Sequence, residues 1–437
     1  MRTSHDEYVL AFDFSLDTLD AALMAPNGDW IIPHQAYDNN LPGFRELKRD
    51  VLAHLSNLDE ARLTAAGEST ALFWWHAFYQ ISTDPDFAPY TPSLALLNPL
   101  YVKNFRRAQP EEDKIDPKDA RLIGTYYRTM GVKHHHTFDP RYLPLRQLSR
   151  AYFRLTHTLA AEKSFALTLL YLLGSEYRRI KPFSDNFGVT SAHILTEYPD
   201  IAAISTIPLD PLTEILDAIS RGHLKDARQS ARKLHQVAKN SYPLPDFLAP
   251  TVHTVFGMTL DHVRFLEHQQ KTYERLIETE LEHLPEAALA LAEPGLGPIL
   301  VAGCLGEIQD TRRFTTGRKF DRKKKRWRER TYRDGQAGVA RLAGLWWPRN
   351  SSGRFEGDDR HLARERDPYL RYWFVQAAYS LKRNRGDYAA YYQRKYNEVK
   401  KHQHKRALIL TARKAVRLIF ALLHKGQMAR LKEEAAA

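Results

Sequence analysis

Short apolar, β-prone segments are confined almost entirely to the first hundred residues of this 437-residue chain, where they alternate with helical segments. The turn Pro26-Asn27-Gly28 predicts a β-hairpin between the second and third of these strands. This alternation predicts an α/β domain built on a mixed sheet. The predicted strands are residues 8–14, 20–24, 30–32, 61–66 and 94–97, and the predicted helices are residues 43–58, 70–81 and 116–128.

The middle of the chain has almost no strand signal. Residues 145–175, 212–239 and 252–284 carry apolar residues at three- and four-residue spacing, which indicates three long helices. We expect a helical arm, partly coiled-coil, that offers a surface for self-association.

The last third combines a Gly-x-Gly turn, a helix, a basic run, a Gly/Trp/Pro/Ser-rich stretch and two further helices, at about 369–382 and 388–423. The overall class is therefore α/β plus all-α, with domains expected at 1–143, 144–290 and 291–437. The only cysteine, Cys304, excludes an internal disulfide and a cysteine-based zinc site. The sequence shows neither a transmembrane segment nor a signal peptide, so we expect a cytoplasmic protein.

Charge is distributed unevenly along the chain. Residues 301–437 hold 34 Lys and Arg against 14 Asp and Glu, a net charge of +20, whereas residues 1–300 have a net charge of −8. A basic C-terminal third suits a polyanion, most simply nucleic acid. The run 318–333 interleaves its cations with Phe320, Trp327 and Tyr332, which favours nucleic acid over an ordinary solvated surface. The candidate contacts in this run are Lys323, Lys324, Lys325 and Arg326.

Four carboxylates are candidates for a metal site. Asp13 and Glu68 stand at the ends of predicted strands, where sites form in α/β sheets. Asp116 and Asp119 lie three residues apart at a helix start and so share one face. Two Mg²⁺ ions about 4 Å apart would neutralise such a set and bridge a scissile phosphate. The alternatives are that Asp116-Pro117-Lys118-Asp119 only caps its helix, and that Asp17 or Asp20 takes the place of Asp13.

Four groups of motifs follow one another along the N-terminal segment: residues 8–13, Ala66-Gly67-Glu68-Ser69-Thr70 with Phe73-Trp74-Trp75, Leu97-Asn98-Pro99 with Val102-Lys103, and 114–120. In this order they resemble the motifs of the DEDD transposases of the IS110 insertion-sequence family, which are bridge-RNA-guided recombinases. The resemblance implies a RuvC-like, ribonuclease-H-like domain whose four acidic residues are Asp13, Glu68, Asp116 and Asp119. Ile115 departs from the family pattern, in which a threonine is usual.

Two C-terminal stretches resemble the same family. The run 294–298, with Gly295 and Gly297, precedes a helix and would expose backbone N–H groups to a phosphate, as helix-hairpin-helix elements do. The run 343–353 holds the serine that the family uses as its nucleophile, which maps onto Ser352, with Ser351 as the close alternative. Each stretch could also be an ordinary loop. Candidate phosphate contacts around the serine are Arg349, Arg354 and Arg371, although each could belong to a solvated basic face.

The resemblance implies a prokaryotic, DNA-associated transposase that exchanges DNA strands through a phosphoserine link. It further implies Mg²⁺ as cofactor, donor and target DNA as partners, a structured non-coding RNA, and a dimer or tetramer. A hydrolytic nuclease such as a junction resolvase, and a non-catalytic nucleic-acid-binding protein, are the alternatives. The segment 316–334 is longer and more basic than the resemblance leads us to expect, and Arg366 stands where a glycine is common. The triplet His134-His135-His136 is interpreted as a surface loop rather than a metal site.

Overall fold

The structure, a computed structural model, describes most of the chain. The described residues are 7–55, 61–69, 71–108, 116–130, 139–198, 200–321, 324–348, 351–352, 355–356, 362–363 and 366–436; for 116–118, 351–352 and 355–356 only the backbone is described.

The N-terminal part contains a five-stranded sheet and four helices. Its elements in chain order are β1 Glu7–Phe14, β2 Thr18–Met24, β3 Trp30–Asp38, α1 Leu41–Leu55, β4 Arg62–Glu68, α2 Trp75–Thr83, β5 Ser93–Leu97, α3 Pro99–Arg107 and α4 Asp116–Met130.

In the middle part all the regular elements of the described residues are helices. Its helices are α5 Leu143–Leu173, α6 Tyr177–Ile180, α7 Val189–Glu197, α8 Leu209–Ser220, α9 Ala227–Asn240, α10 Ala249–Glu282 and α11 Ala288–Leu291.

The last part adds helices and two small hairpins. Its elements are α12 Pro298–Ile308, α13 Arg312–Thr315, β6 Arg318–Asp321, β7 Arg326–Glu329, α14 Tyr332–Leu342, β8 Ser351–Ser352, β9 Phe355–Glu356, α15 Pro368–Asn384, α16 Gly386–Asn397 and α17 Gln403–Ala436.

The large sheet is mixed, with the order β3-β2-β1-β4-β5. β1 is antiparallel to β2 but parallel to β4, and β4 is parallel to β5. The carboxyl ends of β1, β4 and β5 therefore meet at one edge. Large side chains such as Phe12 and Phe14 fill one face with those of α1 and α2, such as Phe44 and Phe78. The other face is lined by smaller residues and is covered by α4.

The chain divides into two compact units, each assembled from separate stretches. The first consists of Met1–Leu143, Ile308–Arg366 and Arg413–Ala437, and the second of Pro144–Glu307 and Asp367–Ala412. In the first unit Gln427 of α17 donates a hydrogen bond to the Tyr142 hydroxyl (2.9 Å) and accepts one from the backbone N–H of Thr311 (2.9 Å). These buried bonds tie the C-terminal helix to the end of the N-terminal segment.

In the second unit the long helices α5 and α10 lie antiparallel. Tyr152 donates a hydrogen bond to Glu274 (2.9 Å), whereas Lys163, eleven residues further along α5, pairs with Glu267 (2.6 Å). Leu155 and Val263 belong to the apolar seam between the two helices. The predicted coiled-coil arm thus corresponds to a packed helix pair, and its role in self-association stays a prediction.

The predicted α/β class with a central mixed sheet and many helices is confirmed. Several element boundaries differ. The single helix predicted over 212–239 is wrong, because the chain turns at Arg221 (φ +52°) and Gly222 (φ +73°) between α8 and α9. The single helix over 388–423 is likewise two helices, α16 and α17, with His402 at φ +52° between them. The first helix after β4 begins only at Trp75, five residues later than predicted.

Candidate active site

Three acidic residues lie in one row across the sheet. Asp13 is paired in register with Asp20 of β2, and the last paired position between β1 and β4 joins Phe12 to Gly67. Glu68 follows Gly67 as the final residue of β4. Since residues opposite each other in a sheet share a face, Asp20, Asp13 and Glu68 all lie on the face covered by α4.

Helix α4 runs antiparallel to β1 across this face. Near its C-terminal end, the Tyr127 hydroxyl donates a hydrogen bond to Glu7 at the start of β1 (2.9 Å). The opposite end of α4 therefore lies at the carboxyl edge of the sheet. Gly124 allows this close packing, because a Cβ there would lie 2.6 Å from Trp30 and 3.1 Å from Ala11.

Asp119 is brought to the acidic edge from the first two turns of α4. It is 9% exposed, and its Oδ1 lies 2.6 Å from Nη2 of Arg106, which is in the last turn of α3. Asp116 is the first residue of α4, one turn before Asp119, and its side chain lies outside the described residues.

Asp20, which the sequence offered as an alternative to Asp13, has other partners. Its Oδ1 lies 2.8 Å from Nε2 of His34 on β3, and its Oδ2 accepts a hydrogen bond from the Thr18 hydroxyl (3.0 Å). Both carboxylate oxygens of Asp20 thus have protein partners on the far side of the row from Glu68.

The electrostatics of Glu68 show that the acidic residues act on one another. Burial raises the pKa of Glu68 above its ordinary value, and the negative charges of Asp13 and Asp119 raise it further. The guanidinium of Arg106 opposes this shift in the pKa. Such a site holds excess negative charge that a cation would relieve.

The donor set suits a hard cation, since carboxylate oxygens are the ligands that Mg²⁺ prefers. Within the described residues, however, no group of three or more His, Cys, Asp or Glu lies close enough together to hold a metal ion. Arg106 supplies the positive charge beside Asp119 instead. A cation bound at Asp119 Oδ1 would compete with the Arg106 guanidinium for that oxygen.

The segment just before Ser351 and Ser352 is held in place by two arginines. Arg413 of α17 donates a hydrogen bond to the Leu345 carbonyl (2.8 Å), and Arg341 stacks on Trp346 (5.1 Å to the ring centre). The two serines form β8, whose partners in β9 are Glu356 and Phe355. The backbone thus places Ser352 at the end of a two-residue strand, and its role as nucleophile stays a prediction.

The Gly-x-Gly turn lies in the second unit, directly before α12. Gly295 has φ +89°, a conformation that favours glycine, and its turn contacts Asn384 at the end of α15. At Gly297 the surrounding space is open. A cavity of about 320 Å³ opens beside this turn, lined by Leu300, Gln376, Tyr379, Ser380, Arg383 and Asn384.

Arg371, another candidate phosphate contact, lies half-buried in the first turn of α15.

The basic run forms a β-hairpin that the sequence did not predict. Lys324 and Lys325 lie in its turn and Arg326 begins β7, and all three are exposed. The remaining candidates, Lys323, Arg349 and Arg354, lie outside the described residues, as does the triplet His134-His135-His136.

Arg106 is the site residue that the sequence analysis missed. It lies on α3, a helix that begins at Pro99 with Asn98 accepting a hydrogen bond from the Leu100 N–H (2.9 Å). Asn98-Pro99 after a strand is a helix-start signal, and the nine-residue helix that begins at Pro99 ends in Arg106-Arg107, so this signal could have located Arg106.

Residues 10–172, which include Asp13, Glu68 and Asp119, match a family model described as Transposase. The family is that of the DEDD transposases of IS110 elements, so the α/β domain is a transposase domain of this type. No curated protein matches the chain.

None of the described helices has both the length and the apolar character needed to cross a bilayer.

Proposed function

We propose that this transposase cleaves and exchanges DNA strands with a divalent metal, preferably Mg²⁺, held at Asp13, Glu68, Asp116 and Asp119. The observation that carries the proposal is the gathering of Asp13, Glu68 and Asp119 at the carboxyl edge of the sheet, where Glu68 responds to both other charges. When bound, Mg²⁺ would polarise the scissile phosphate and neutralise charge in the transition state.

The nucleophile we propose is the Ser352 hydroxyl. Its oxygen would bond to phosphorus while the bond from phosphorus to one deoxyribose oxygen breaks. The serine proton is given up and the leaving oxygen takes up a proton, so the DNA end stays joined to the protein until a second strand displaces the serine. The anchoring of Leu345 by Arg413 and of Trp346 by Arg341 supports this role, because it fixes the start of the serine stretch.

The decisive experiment separates the serine mechanism from hydrolysis. Wild type incubated with Mg²⁺ and labelled DNA from both sides of its gene is expected to yield a covalent protein–DNA adduct on a denaturing gel. Ser352→Ala should abolish the adduct, with Ser351→Ala as the matched control. If both variants exchange strands as wild type does, the serine mechanism is wrong and water is the nucleophile, as in a junction resolvase.

The carboxylates are tested in the same assay. Asp13→Asn and Glu68→Gln should lower the rate of metal-dependent cleavage by roughly 100-fold or more. Asp17→Asn is the matched control, because Asp17 is an exposed carboxylate four residues from Asp13 in the β1–β2 turn. Unchanged cleavage in Asp13→Asn and Glu68→Gln would mean that these carboxylates do not hold the metal. If wild type itself shows no metal-dependent cleavage, the protein binds DNA without cutting it.

We further propose a homo-oligomer assembled through α5 and α10, and a structured non-coding RNA as a second nucleic-acid partner. Exposed apolar side chains on these helices support the first proposal: Phe165 is 48% exposed and Phe265 55%. The net charge of +20 in residues 301–437 supports the second, since it exceeds what one duplex contact needs. Sedimentation of Phe165→Asp/Phe265→Asp, and sequencing of RNA co-purified with wild type, test them separately.

A further inference from the structure

The hairpin of β6 and β7 has two unlike faces. Its register pairs Phe320 with Trp327 and Lys319 with Arg328. Because side chains alternate along a strand, the aromatic pair lies on one face and the basic pair on the other. A hairpin of this kind is only marginally stable alone, so one face must be held by the rest of the unit.

The basic face is held by Asp334 in the first turn of α14. Lys319 Nζ lies 2.7 Å from Asp334 Oδ1, and the Arg328 guanidinium donates to both of its oxygens (2.5 and 3.0 Å). Asp334 also completes a capping box with Thr331 at the start of this helix. The charges of Lys319 and Arg328 are thereby paired within the protein.

The aromatic face points to solvent. Phe320 is 43% exposed and Trp327 52% exposed. Their ring centres lie 5.7 Å apart with the planes at 66°, an edge-to-face pair. Two large exposed rings side by side carry a cost in water, which a flat apolar partner would relieve.

Three exposed cations stand at the end of the hairpin, on Lys324, Lys325 and Arg326. No described residue forms an ion pair with any of them. Rings on a face and unpaired cations at the tip of the same small element match a polymer with flat bases and a charged backbone.

We propose that the β6–β7 hairpin binds single-stranded DNA, with Phe320 and Trp327 stacking on unpaired bases and Lys324, Lys325 and Arg326 contacting phosphates. Unpaired bases are favoured over duplex because the base faces in a duplex are already stacked on each other, whereas exposed rings need a free face. The choice of DNA rests on the function proposed above, in which strand exchange exposes unpaired DNA.

The test is fluorescence anisotropy of the full chain with a labelled 20-nucleotide oligothymidylate and with a duplex of equal length, both in EDTA. Phe320→Ala/Trp327→Ala should weaken single-strand binding by roughly tenfold or more, while duplex binding changes much less. Phe320→Leu/Trp327→Leu keeps the apolar bulk without the aromatic face and should show the same selective loss. If the two double variants show the same selective loss of single-strand binding, misfolding is excluded as its cause.

The matched controls are Phe247→Ala and Tyr242→Ala, which remove exposed rings (85% and 79%) from the second unit. Neither should alter binding to the single strand. Wild-type affinity in both hairpin pairs, or an equal loss for single strand and duplex, would overturn the proposal. A greater loss with oligouridylate than with oligothymidylate would also overturn it, since the partner would then be RNA.

This result is independent of catalysis. Binding in EDTA measures the hairpin alone, so an Asp13→Asn protein should show the same dependence on Phe320 and Trp327. If carboxylate substitutions leave cleavage unchanged but the hairpin variants lose single-strand binding, the proposed function fails and the hairpin proposal stands. If the carboxylate substitutions abolish cleavage but the hairpin variants keep single-strand binding, only the hairpin proposal is rejected.

Discussion

Arg106 and Asp119 form an ion pair, with Nη2 of the arginine 2.6 Å from Oδ1 of the carboxylate. The pair joins the end of α3 to the start of α4, directly beside Glu68, whose pKa responds to both charges. Arg106 thus places a positive charge beside the acidic edge, where it opposes the rise in the pKa of Glu68.

Replacing Arg106 by Ala should have opposite effects with and without metal. Without metal, the repulsion among Glu68, Asp13 and Asp119 is left unopposed, so the melting temperature should fall, by an amount equivalent to about 1 kcal/mol for this partly exposed pair. Saturating Mg²⁺ or Mn²⁺ should raise the melting temperature of the variant by more than it raises that of wild type. The reason is that no arginine then competes with the metal ion for Asp119. Thermal unfolding in EDTA and in metal measures both.

The control for this prediction is Arg107→Ala, which removes the exposed neighbouring arginine of the same helix. It should leave the metal-induced change in melting temperature as in wild type. An equal metal response in Arg106→Ala and wild type would mean that Arg106 does not compete with a cation at Asp119.

Gly124→Ala should loosen the packing of α4 on the sheet. The added Cβ would lie 2.6 Å from Trp30, so the helix or the ring must shift, and we expect a loss of about 1–3 kcal/mol in the free energy of unfolding. Gly257→Ala, also inside a helix but with open space around it, should instead stabilise by about 0.5–1 kcal/mol. Denaturant unfolding of both variants gives the comparison, and destabilisation of equal size in both would contradict it.

Asp367 should make the second unit less stable as the pH rises. Its carboxyl is buried beside Glu307, which holds Arg146 (3.0 Å) and Arg150 (2.6 Å), whereas Asp367 lies 3.8 Å from Arg150. Burial, followed by the charge of Glu307, raises the pKa of Asp367 to about 6 from 3.8. The folded chain therefore holds this proton more tightly than the unfolded chain. Its stabilising effect is complete below about pH 4 and is lost as the pH rises through 6.

Asp367→Asn removes this dependence while keeping an oxygen that can accept the Leu370 N–H, which Asp367 now binds at 2.9 Å. The variant should be more stable than wild type at pH 8, by up to about 3 kcal/mol, with a much smaller difference near pH 4. Unfolding curves from pH 4 to 8 measure this, with the exposed Asp246→Asn as control. A constant difference across that range would disprove the assignment.

Asp334→Ala should release the β6–β7 hairpin. It removes the partner of Lys319 and Arg328 and breaks the capping box of α14, at a cost of about 1 kcal/mol for the cap alone. Trypsin should then cut first within residues 318–330 and faster than in wild type, as identified by mass spectrometry. Glu329→Ala, which removes an exposed carboxylate from the opposite face, should leave the cutting rate near that of wild type.

The sequence predicted the N-terminal sheet well because its signals are local. Short β-prone apolar runs, such as those that precede Asp13 and Glu68, favour strands. Parallel strands bring such ends together at one edge. The boundaries that failed depend on single backbone conformations, as at Arg221 and His402, which adopt positive φ although neither is glycine. At the first break Gly222 is a helix-stop signal that the sequence analysis passed over. At His402 the residue type gives no such signal.

The parts of the site that the sequence missed depend on contacts between distant residues. Arg106 faces Asp119 only because α4 packs antiparallel to β1, which Gly124 permits. The basic run was predicted as a surface, but its pairing into a hairpin is fixed by Asp334, whose role shows only in three dimensions. The serine stretch also depends on a contact between distant residues, because Arg413 binds the carbonyl of Leu345, 68 residues earlier in the sequence.

The bond between Gln427 and Tyr142 has a consequence for synthesis on the ribosome. The two residues are 285 positions apart in the chain, yet both belong to the unit that holds the acidic edge. At the usual pace of translation, roughly 15 to 60 s separate the emergence of Tyr142 from that of Gln427. A nascent chain therefore presents the sheet for that time without the helix that completes its unit.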